Sequence, residues 1–266
     1  MRPRPGTTVN RYHWLARYYD QVFAFAPSWG QPARERILGP ILPHVKSACD
    51  LACGTGSTAV ALARRGIRMF GVDLSPAMCR AAREKARRAG VPLRVFRADM
   101  RTFRLPEPVD LITCEFDALN HVPEERGLTL VAKAVARALL PGGHFYFDVN
   151  NSLAFRKMWP DTWWIDTPDV AMVMHGGYDP KRDRAWSDVE WFIREGNLWR
   201  RRRERVEEVC WTASEIRRAL RRAGFGRITA WDAAPLLTSD PMIRPGYRTF
   251  YLARKALGGG RLPAAD

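Results

Sequence analysis

Long apolar runs are missing from the sequence. No stretch approaches the roughly 18 uninterrupted apolar residues that a membrane-spanning helix requires. The amino terminus, MRPRPGTTVNRYHWL, is basic, but it lacks the apolar segment and the small-residue cleavage site of a secretory signal peptide. We therefore expect a protein of the cytoplasm with no membrane partner.

Cysteine is scarce, with five residues in a chain of 266, which excludes a small disulfide scaffold. No two cysteines form a C-x-x-C pair, and the five histidines show no short spacing typical of metal ligands. We therefore expect buried thiols in a reducing compartment and no metal site. The pattern G-x-x-x-x-G-K-[ST] is also absent, which excludes a P-loop nucleotide site.

Lysine is rare as well. Only six of the 43 basic residues are Lys, and the excess over 28 acidic residues gives a net charge of +15. Arginine clusters lie at 80–88, 200–203 and 217–222. Two of them fall on amphipathic helical patterns and the third on an alternating strand, so solvated surfaces account for most of them. The charge favours anionic partners, and it leaves nucleic acid open as an alternative partner.

The chain does contain a regular alternation of strand and helix patterns up to residue 150. The predicted strands are 45–51, 68–72, 93–97, 110–114 and 144–149, and the predicted helices are 57–65, 76–90 and 123–139. A turn is expected at Pro141-Gly142-Gly143. The alternation predicts an α/β fold with a doubly wound parallel sheet.

The alternation stops after residue 150. Residues 151–212 are rich in Trp and show period-two patterns around a turn at Glu195-Gly196-Asn197, which predicts antiparallel strands. A helix ending at Ala223 and strands at 227–231 and 249–254 resume the earlier pattern. The sequence therefore predicts a β-rich insertion of about 60 residues, longer than an ordinary connection.

Acidic residues and glycines stand where the first three strands end. The first strand ends in Asp50 and a loop with Gly54 and Gly56, whose freedom allows a tight turn close to a ligand. Asp73 ends the second strand, where an acid can accept hydrogen bonds from a ribose diol. Asp99-Met100 ends the third strand and offers an acceptor for an exocyclic amine beside an apolar contact for a purine. Because open α/β sheets bind ligands at these strand ends, the pattern predicts an adenosine site.

The glycine loop also fits G-x-G-x-x-A, the pattern of dinucleotide-binding enzymes. Asp50 argues against that interpretation because it would repel a pyrophosphate. The third acid, Asp99, favours an adenosine without phosphates. An NAD-dependent oxidoreductase remains an alternative.

These stretches resemble the class I S-adenosylmethionine-dependent methyltransferases over about residues 45–150, with a weaker similarity at 214–254. The matching stretches are DLACGTGSTAVALA, GVDLSPAM, ADM and LLPGG. The resemblance implies S-adenosyl-L-methionine as cofactor and S-adenosyl-L-homocysteine as product. It implies that the loop after the first strand contacts the amino-acid part of the cofactor, through Asp50, Ala52, Cys53, Gly54 and Gly56.

The resemblance also implies roles at the next two strand ends. Asp73 would bind the ribose, with Leu74 beside the adenine. Asp99 would bind the adenine amine, with Met100 adjacent. Ala52 stands where many members of the family have Gly, a variation that leaves the assignment intact.

A narrower resemblance is to a small-molecule subgroup that includes methyltransferases of amines and amino sugars. It rests on Tyr19-Asp20, on the run from Phe116 to His121, and on the run from Phe147 to Asn150. Members of that subgroup carry a β-rich insertion after the fifth strand. The implied fold is a Rossmann-like seven-stranded sheet in the order 3-2-1-4-5-7-6, with the last strand antiparallel and helices on both faces.

Four further residues are site candidates. Glu115 and Phe116 follow the fourth strand and would flank the transferred methyl group, although Phe116 could equally be core packing. His121 is the titratable candidate for orienting the acceptor or removing its proton, against a role as a cap or surface residue. Tyr19, together with Tyr12 and Tyr18, would form a lid over the cofactor, against a simply packed helix face.

The expected organisation is an N-terminal helical lid at 1–40, a cofactor-binding core at 41–150 and 210–256, an insertion at 151–209 and a loose tail at 257–266. The lid combines an aromatic helix ending at Pro27 with a second helix after Pro32. The insertion would line the acceptor pocket, form a homodimer contact, or do both, against the alternative that its aromatic residues merely fill a small second core.

The sequence thus predicts an S-adenosylmethionine-dependent methyltransferase acting on a small-molecule acceptor, at an amine nitrogen. One alternative is an RNA or protein methyltransferase that uses the basic surface, although an N-P-P-Y signature is absent after the fourth strand. Another is a non-catalytic module that binds the cofactor.

Overall fold

The computed structural model describes residues 15–24, 26–237 and 243–257. The helices are α1 (Leu15–Val22), α2 (Ala26–Leu38), α3 (Ser57–Ala63), α4 (Pro76–Arg88), α5 (Glu125–Ala138), α6 (Ser152–Lys157) and α7 (Ala213–Arg222). The strands are β1 (Ser47–Leu51), β2 (Arg68–Asp73), β3 (Leu93–Arg97), β4 (Val109–Cys114), β5 (Leu139–Asn150), β6 (Thr162–Asp166), β7 (Val170–Asp179), β8 (Arg184–Glu195), β9 (Leu198–Val209), β10 (Phe225–Asp232) and β11 (Arg248–Lys255). Residues 1–14 of the expected lid, which include Tyr12, and residues 258–266 of the expected tail lie outside the described residues.

Seven strands form one sheet in the order β10-β11-β5-β4-β1-β2-β3. Strands β1 to β5 run parallel, whereas β11 pairs antiparallel with both β5 and β10. With the core strands numbered alone, this is the order 3-2-1-4-5-7-6. The predicted α/β fold with an antiparallel last strand is therefore confirmed.

Aromatic side chains fill the core between this sheet and the helices α5 and α7. The rings of Phe145 and Phe147 stack with centroids 4.7 Å apart, and Phe147 stacks on Tyr251 at 5.0 Å. All three are buried, and burying a side chain of this size stabilises the fold by roughly 1.5–3 kcal/mol. This packing fixes β5 and β11 side by side, and both strands carry residues of the site described below.

Several local boundaries differ from the sequence prediction. The aromatic helix expected to end at Pro27 is α1, which ends at Val22. Helix α2 begins at Ala26 and continues through Pro32, instead of starting after it. Pro27 is its second residue, where a missing N–H costs no helical hydrogen bond, and buried Ala33, Ile37 and Leu38 hold the rest of the helix on the core. Pro141-Gly142-Gly143 lies inside the long strand β5, as a break in its pairing with β4.

A second, four-stranded antiparallel sheet, in the order β6-β7-β8-β9, is inserted between β5 and α7. Its long hairpin turns at Gly196, which adopts a positive φ of 63°. Cross-strand ion pairs neutralise much of the arginine run on β9: Arg201 and Arg203 bind Glu190, and Arg205 binds Asp188. No helix within the described ranges is long and apolar enough to cross a bilayer.

One amide side chain joins the inserted sheet to the core. Asn120, in a short 3-10 helix at Ala118–His121, donates from Nδ2 to the carbonyls of Asn150 (3.1 Å) and Val209 (2.7 Å). Its Oδ1 accepts from the Asn150 N–H at 3.0 Å. Asn120 is fully buried, so the end of β9 is held firmly against β5 and the segment after β4.

Candidate active site

A cleft of about 1130 Å³ lies at the carboxyl ends of β1, β2 and β4, between the core, α1 and the inserted sheet. The structure brings nearly all of the predicted site residues to it. Its lining includes Tyr19, Asp50, Ala52, Cys53, Gly54, Asp73, Leu74, Asp99, Met100, Glu115, Phe116 and His121. Gly56 is not among the lining residues, because its position serves packing: a Cβ there would lie 3.0 Å from the Cβ of Ala82 on α4.

The loop after β1 turns through left-handed backbone conformations. Ala52 has a φ of 56° and Gly54 a φ of 52°, and only glycine adopts such angles without steric cost. The Cys53 thiol is buried, and burial raises its pKa well above the usual value, so it is not poised as a nucleophile. The loop therefore offers its backbone to the cleft.

Asp73 holds this loop in place from the end of β2. Its Oδ2 accepts the Gly54 N–H at 2.9 Å, and its Oδ1 accepts the Ser75 N–H at 2.8 Å. Burial raises the pKa of Asp73, and the backbone hydrogen bonds oppose that shift. Each carboxylate oxygen keeps a further lone pair with which it can accept a ligand hydroxyl.

At the end of β3, Asp99 is paired with Arg101. The guanidinium Nη2 lies 2.6 Å from Asp99 Oδ2, and the Arg101 N–H lies 2.8 Å from Oδ1. These bonds keep the pKa of Asp99 below its usual value. Met100 and the partly exposed Leu74 supply apolar walls nearby.

A buried acid cluster, here called the Arg34 cluster, consists of Asp50, Glu115 and Arg34. Arg34 Nη1 donates to Glu115 Oε2 at 2.6 Å, and Asp50 accepts from the Thr113 hydroxyl at 2.8 Å. Burial and then the nearby Glu115 raise the pKa of Asp50 to about 7. Glu115 Oε1 is buried without a hydrogen-bond partner among the described residues. The cluster is thus short of positive charge and has an unsatisfied acceptor.

A second cluster, the Arg248 cluster, consists of Asp117, Asp148, Glu208 and Arg248. Arg248 lies between two of the acids, with Nη1 2.5 Å from Asp148 Oδ2 and Nη2 2.7 Å from Asp117 Oδ1. Asp148 also accepts the N–H groups of Phe116 (2.7 Å) and Asp117 (3.0 Å). Phe116 and Asp117 have positive φ values of 63° and 50°, so Asp148 stabilises a strained turn directly after β4.

His121 faces this second cluster. One ligand-type atom from each of His121, Asp117 and Glu208 lies within 4.8 Å of the others, which is a spacing that could hold a metal ion. Glu208 comes from the inserted sheet, so short sequence spacing gives no sign of this group. Chemically, the group offers one titratable imidazole beside two carboxylates.

Helix α1 covers the cleft from one side. Tyr19 packs on Phe23 with ring centroids 4.8 Å apart, and Phe23 meets Phe116 edge-on at 6.0 Å. Burial, followed by the charges of Asp117 and Asp73, raises the pKa of Tyr19, so its hydroxyl stays protonated.

Polar contacts fasten α1 to the glycine loop. Asp20 accepts from the Thr55 hydroxyl at 2.6 Å and from Lys85 Nζ at 2.7 Å. Lys85 Nζ also donates to the Ser57 hydroxyl at 2.6 Å. One ammonium group therefore links α1, the loop and α4.

Sequence reasoning missed five residues of the two clusters: Arg34, Asp117, Asp148, Glu208 and Arg248. Asp117 and Asp148 lay in stretches already noted for their resemblance, and the alternation of β9 places Glu204, Val206 and Glu208 on its inward side. Arg34 and Arg248 had no such signal among 43 basic residues.

Comparisons with known proteins agree with this geometry. Residues 48–143 match the family described as "Methyltransferase domain". The putative methyltransferase YqeM of Bacillus subtilis is 27% identical over 253 residues, covering 92% of this chain and 97% of the relative. A dTDP-4-amino-2,3,4,6-tetradeoxy-D-glucose N,N-dimethyltransferase of Saccharopolyspora spinosa is 33% identical over 131 residues, covering 48% of this chain and 51% of the relative.

Among solved structures, the S-adenosylmethionine-dependent methyltransferase of Clostridium acetobutylicum has a similar fold, with a TM-score of 0.76 at 24% identity. The similarity covers 92% of this chain and 99% of that one, so it extends well beyond residues 48–143. The fold and the cleft are those of a Rossmann-like methyltransferase. With its methyltransferase domain at residues 48–143, the chain is an S-adenosylmethionine-dependent methyltransferase.

Proposed function

We propose that this enzyme transfers the methyl group of S-adenosylmethionine to an amine nitrogen of a small molecule. The observation that carries the proposal is a single cleft that runs from the strand-end acids Asp50 and Asp73 to His121 and the carboxylates around it. The relative that is an N,N-dimethyltransferase of an amino sugar supports the amine acceptor. The ion-paired arginines of β9 give the nucleic-acid alternative less support.

The residues at the strand ends fit the cofactor. Asp73 would accept the ribose hydroxyls, and Asp99 would accept the adenine amine, with Met100 and Leu74 against the ring. The backbone of Ala52, Cys53 and Gly54 would face the amino-acid part, in a loop whose close packing depends on Gly56.

The Arg34 cluster fits the charged end of the cofactor. Glu115 Oε1 has no hydrogen-bond partner among the described residues, and an ammonium group is a donor that would satisfy it. Asp50 adds a second negative charge beside it. The cofactor supplies a methyl group on a positively charged sulfur.

The chain itself aligns the acceptor and removes a proton. The rings of Tyr19, Phe23 and Phe116 exclude water from the cleft, which favours an in-line displacement. His121 would take a proton from the acceptor ammonium, and the freed nitrogen lone pair forms the new N–C bond as the S–C bond breaks and its electron pair stays on sulfur. Tyr19 remains a hydrogen-bond donor because its pKa is raised.

The surrounding elements have roles in the same proposal. The N-terminal helices within 1–40 act as a lid, the core at 41–150 and 210–256 binds the cofactor, and the insertion at 151–209 lines the acceptor side. Exposed Trp164 on the edge strand β6, and exposed Leu198 at the β8–β9 hairpin, with 63% and 75% of their surfaces accessible, are apolar positions at which a homodimer contact would form. Size-exclusion chromatography with light scattering tests that dimer. The free, buried cysteines suit a cytoplasmic location.

A thermal-shift titration tests the cofactor assignment first. S-adenosylhomocysteine should raise the melting temperature with concentration, and NAD should leave it unchanged, because a ligand stabilises only the state that binds it. A panel of amines and their hydroxyl counterparts then tests the acceptor through production of S-adenosylhomocysteine. A shift with NAD alone would overturn the function, and turnover of hydroxyl acceptors alone would overturn the amine.

Replacing His121 by Ala tests its proposed role as base. Turnover should fall by about 100-fold or more, since a positioned base contributes factors of that order, while the affinity for S-adenosylhomocysteine stays the same. His175→Ala, in the inserted sheet, is the matched control. Undiminished turnover would remove His121 from the site.

A further inference from the structure

Glu208 is a buried carboxylate with one oxygen unsatisfied. Only 6% of the residue is exposed, and its Oε2 has no hydrogen-bond partner among the described residues. It lines the cleft at the end of β9, next to the Asn120 contact that holds β9 on the core. A buried acceptor of this kind is costly unless a ligand donor satisfies it.

The charges around Glu208 do not balance. The Arg248 cluster has three carboxylates, from Asp117, Asp148 and Glu208, and one guanidinium. Burial and then the charge of Asp117 raise the pKa of Glu208 well above its usual value, and Arg248 opposes that shift. Buried carboxylates need paired positive charge, so the cluster is suited to an additional cation.

We propose that Glu208 and Asp117 bind the protonated amine of the methyl acceptor and so select amines over alcohols. This inference rests on the proposed function and names the group by which that site recognises its substrate. An ammonium has three N–H donors, which can reach Glu208 Oε2, Asp117 and the imidazole of His121, three partners that lie close together. His121 can remove the proton that it contacts, and a rotation of the amine about its C–N bond would then direct the freed lone pair away from His121 and toward the methyl group.

The geometry favours an ammonium over a divalent metal ion. Arg248 Nη2 lies 2.7 Å from Asp117 Oδ1, so a doubly charged ion on Asp117 would sit close to a fixed guanidinium. A monovalent ammonium has half that repulsion at the same distance. Metal binding is therefore the competing outcome in the test.

The test compares two ligands that differ in one group: dTDP-4-amino-2,3,4,6-tetradeoxy-D-glucose and its 4-hydroxy analogue. Calorimetry on the full chain saturated with S-adenosylhomocysteine should show the amine binding at least about tenfold more tightly. Glu208→Gln should remove that preference, and Glu208→Asp should keep part of it. Glu195→Gln removes the same charge from an exposed position of the same sheet and should leave the preference unchanged.

Each outcome decides the proposal. Equal binding of the two ligands, no binding of the amine, or an unchanged preference in Glu208→Gln would overturn it. Binding of Mn²⁺ or Zn²⁺ that is lost in Glu208→Gln, without an amine preference, would replace it with a metal site. Thermal unfolding and S-adenosylhomocysteine affinity of each variant check that the fold is intact.

The failure of the proposed function has a different signature. In that case the amine binds in a Glu208-dependent way, but no methyl transfer from S-adenosylmethionine follows. Methyl transfer to a hydroxyl acceptor, at a rate that is the same in Glu208→Gln, would instead keep the methyltransferase and remove the ammonium subsite.

Discussion

The two acid clusters of the cleft each bury more carboxylates than guanidinium groups, but they are built from different parts of the chain. The Arg34 cluster sets one guanidinium against two carboxylates at the ends of β1 and β4. The Arg248 cluster sets one guanidinium against three carboxylates, two of which it binds directly. Each cluster contains a buried carboxylate oxygen, Glu115 Oε1 or Glu208 Oε2, for which the described part of the chain offers no hydrogen-bond partner. Adjacent strand ends suffice for the first cluster, whereas the second needs the inserted sheet.

The two clusters should differ most in the stability that is lost when the arginine of each is replaced. Arg248→Met should lower the free energy of unfolding by about 3–5 kcal/mol, since it leaves Asp148 and Asp117 as uncompensated buried charges. Arg34→Met should cost less, because Arg34 forms an ion pair with one carboxylate, Glu115, and not with two. Urea unfolding measures both, with Arg254→Met on the exposed side of β11 as control. Equal losses from Arg34→Met and Arg248→Met would contradict the comparison.

The next effect concerns cofactor affinity. Asp73→Ala should weaken S-adenosylhomocysteine binding by more than about tenfold, or roughly 1.4 kcal/mol, since it removes the proposed ribose acceptor and the anchor of Gly54. Asp110→Ala removes an acid that also accepts backbone N–H groups, but at the opposite end of the sheet, and should leave the affinity unchanged. Calorimetry distinguishes the two, and unchanged affinity in Asp73→Ala would refute the ribose assignment.

The Arg34 cluster should make cofactor binding depend on pH. The pKa of Asp50 is about 7, and a bound ammonium would favour its ionised form and lower that pKa. Binding below pH 7 should therefore release a proton, and affinity should fall by as much as about tenfold for each pH unit below 7. Calorimetry in buffers of different ionisation enthalpy measures the proton, and Asp50→Asn should flatten the profile. Uptake of a proton on binding would contradict the predicted lowering of the Asp50 pKa by the bound ammonium.

The smallest expected effect on stability concerns the strained turns beside the two clusters. Ala52→Gly should raise the free energy of unfolding by about 1 kcal/mol, since glycine adopts the positive φ of Ala52 without a Cβ clash. Phe116→Gly should not raise the free energy of unfolding, because it also removes the ring contact with Phe23. Chemical denaturation measures both, and stabilisation by Phe116→Gly would show that the ring contributes nothing.

The sequence was sufficient to predict the sheet and to bring most of the proposed cofactor-binding residues to one cleft, because periodicity locates strand ends and parallel strands place their carboxyl ends together. Asp50, Asp73 and Asp99 all line the cleft as expected. The pairing of Asp99 with Arg101 was not foreseen, since it depends on a side-chain rotamer. The Arg248 cluster could not be predicted for a different reason. Asp117 and Arg248 are 131 residues apart, and no local sequence pattern relates them.

The Asn120 contact has a consequence for how such an enzyme can diversify. Asn120 fixes β9 at Val209, the residue next to Glu208. Leu198, at the hairpin end of β9, lies ten residues before Glu208, which corresponds to about 33 Å along the strand. None of residues 198–203 is among those that line the cleft, so the position of Glu208 does not constrain that distal half of β9. The insertion thus has an anchored end, which contributes Glu208 to the cleft, and a distal end that can change without altering the lining of the cleft.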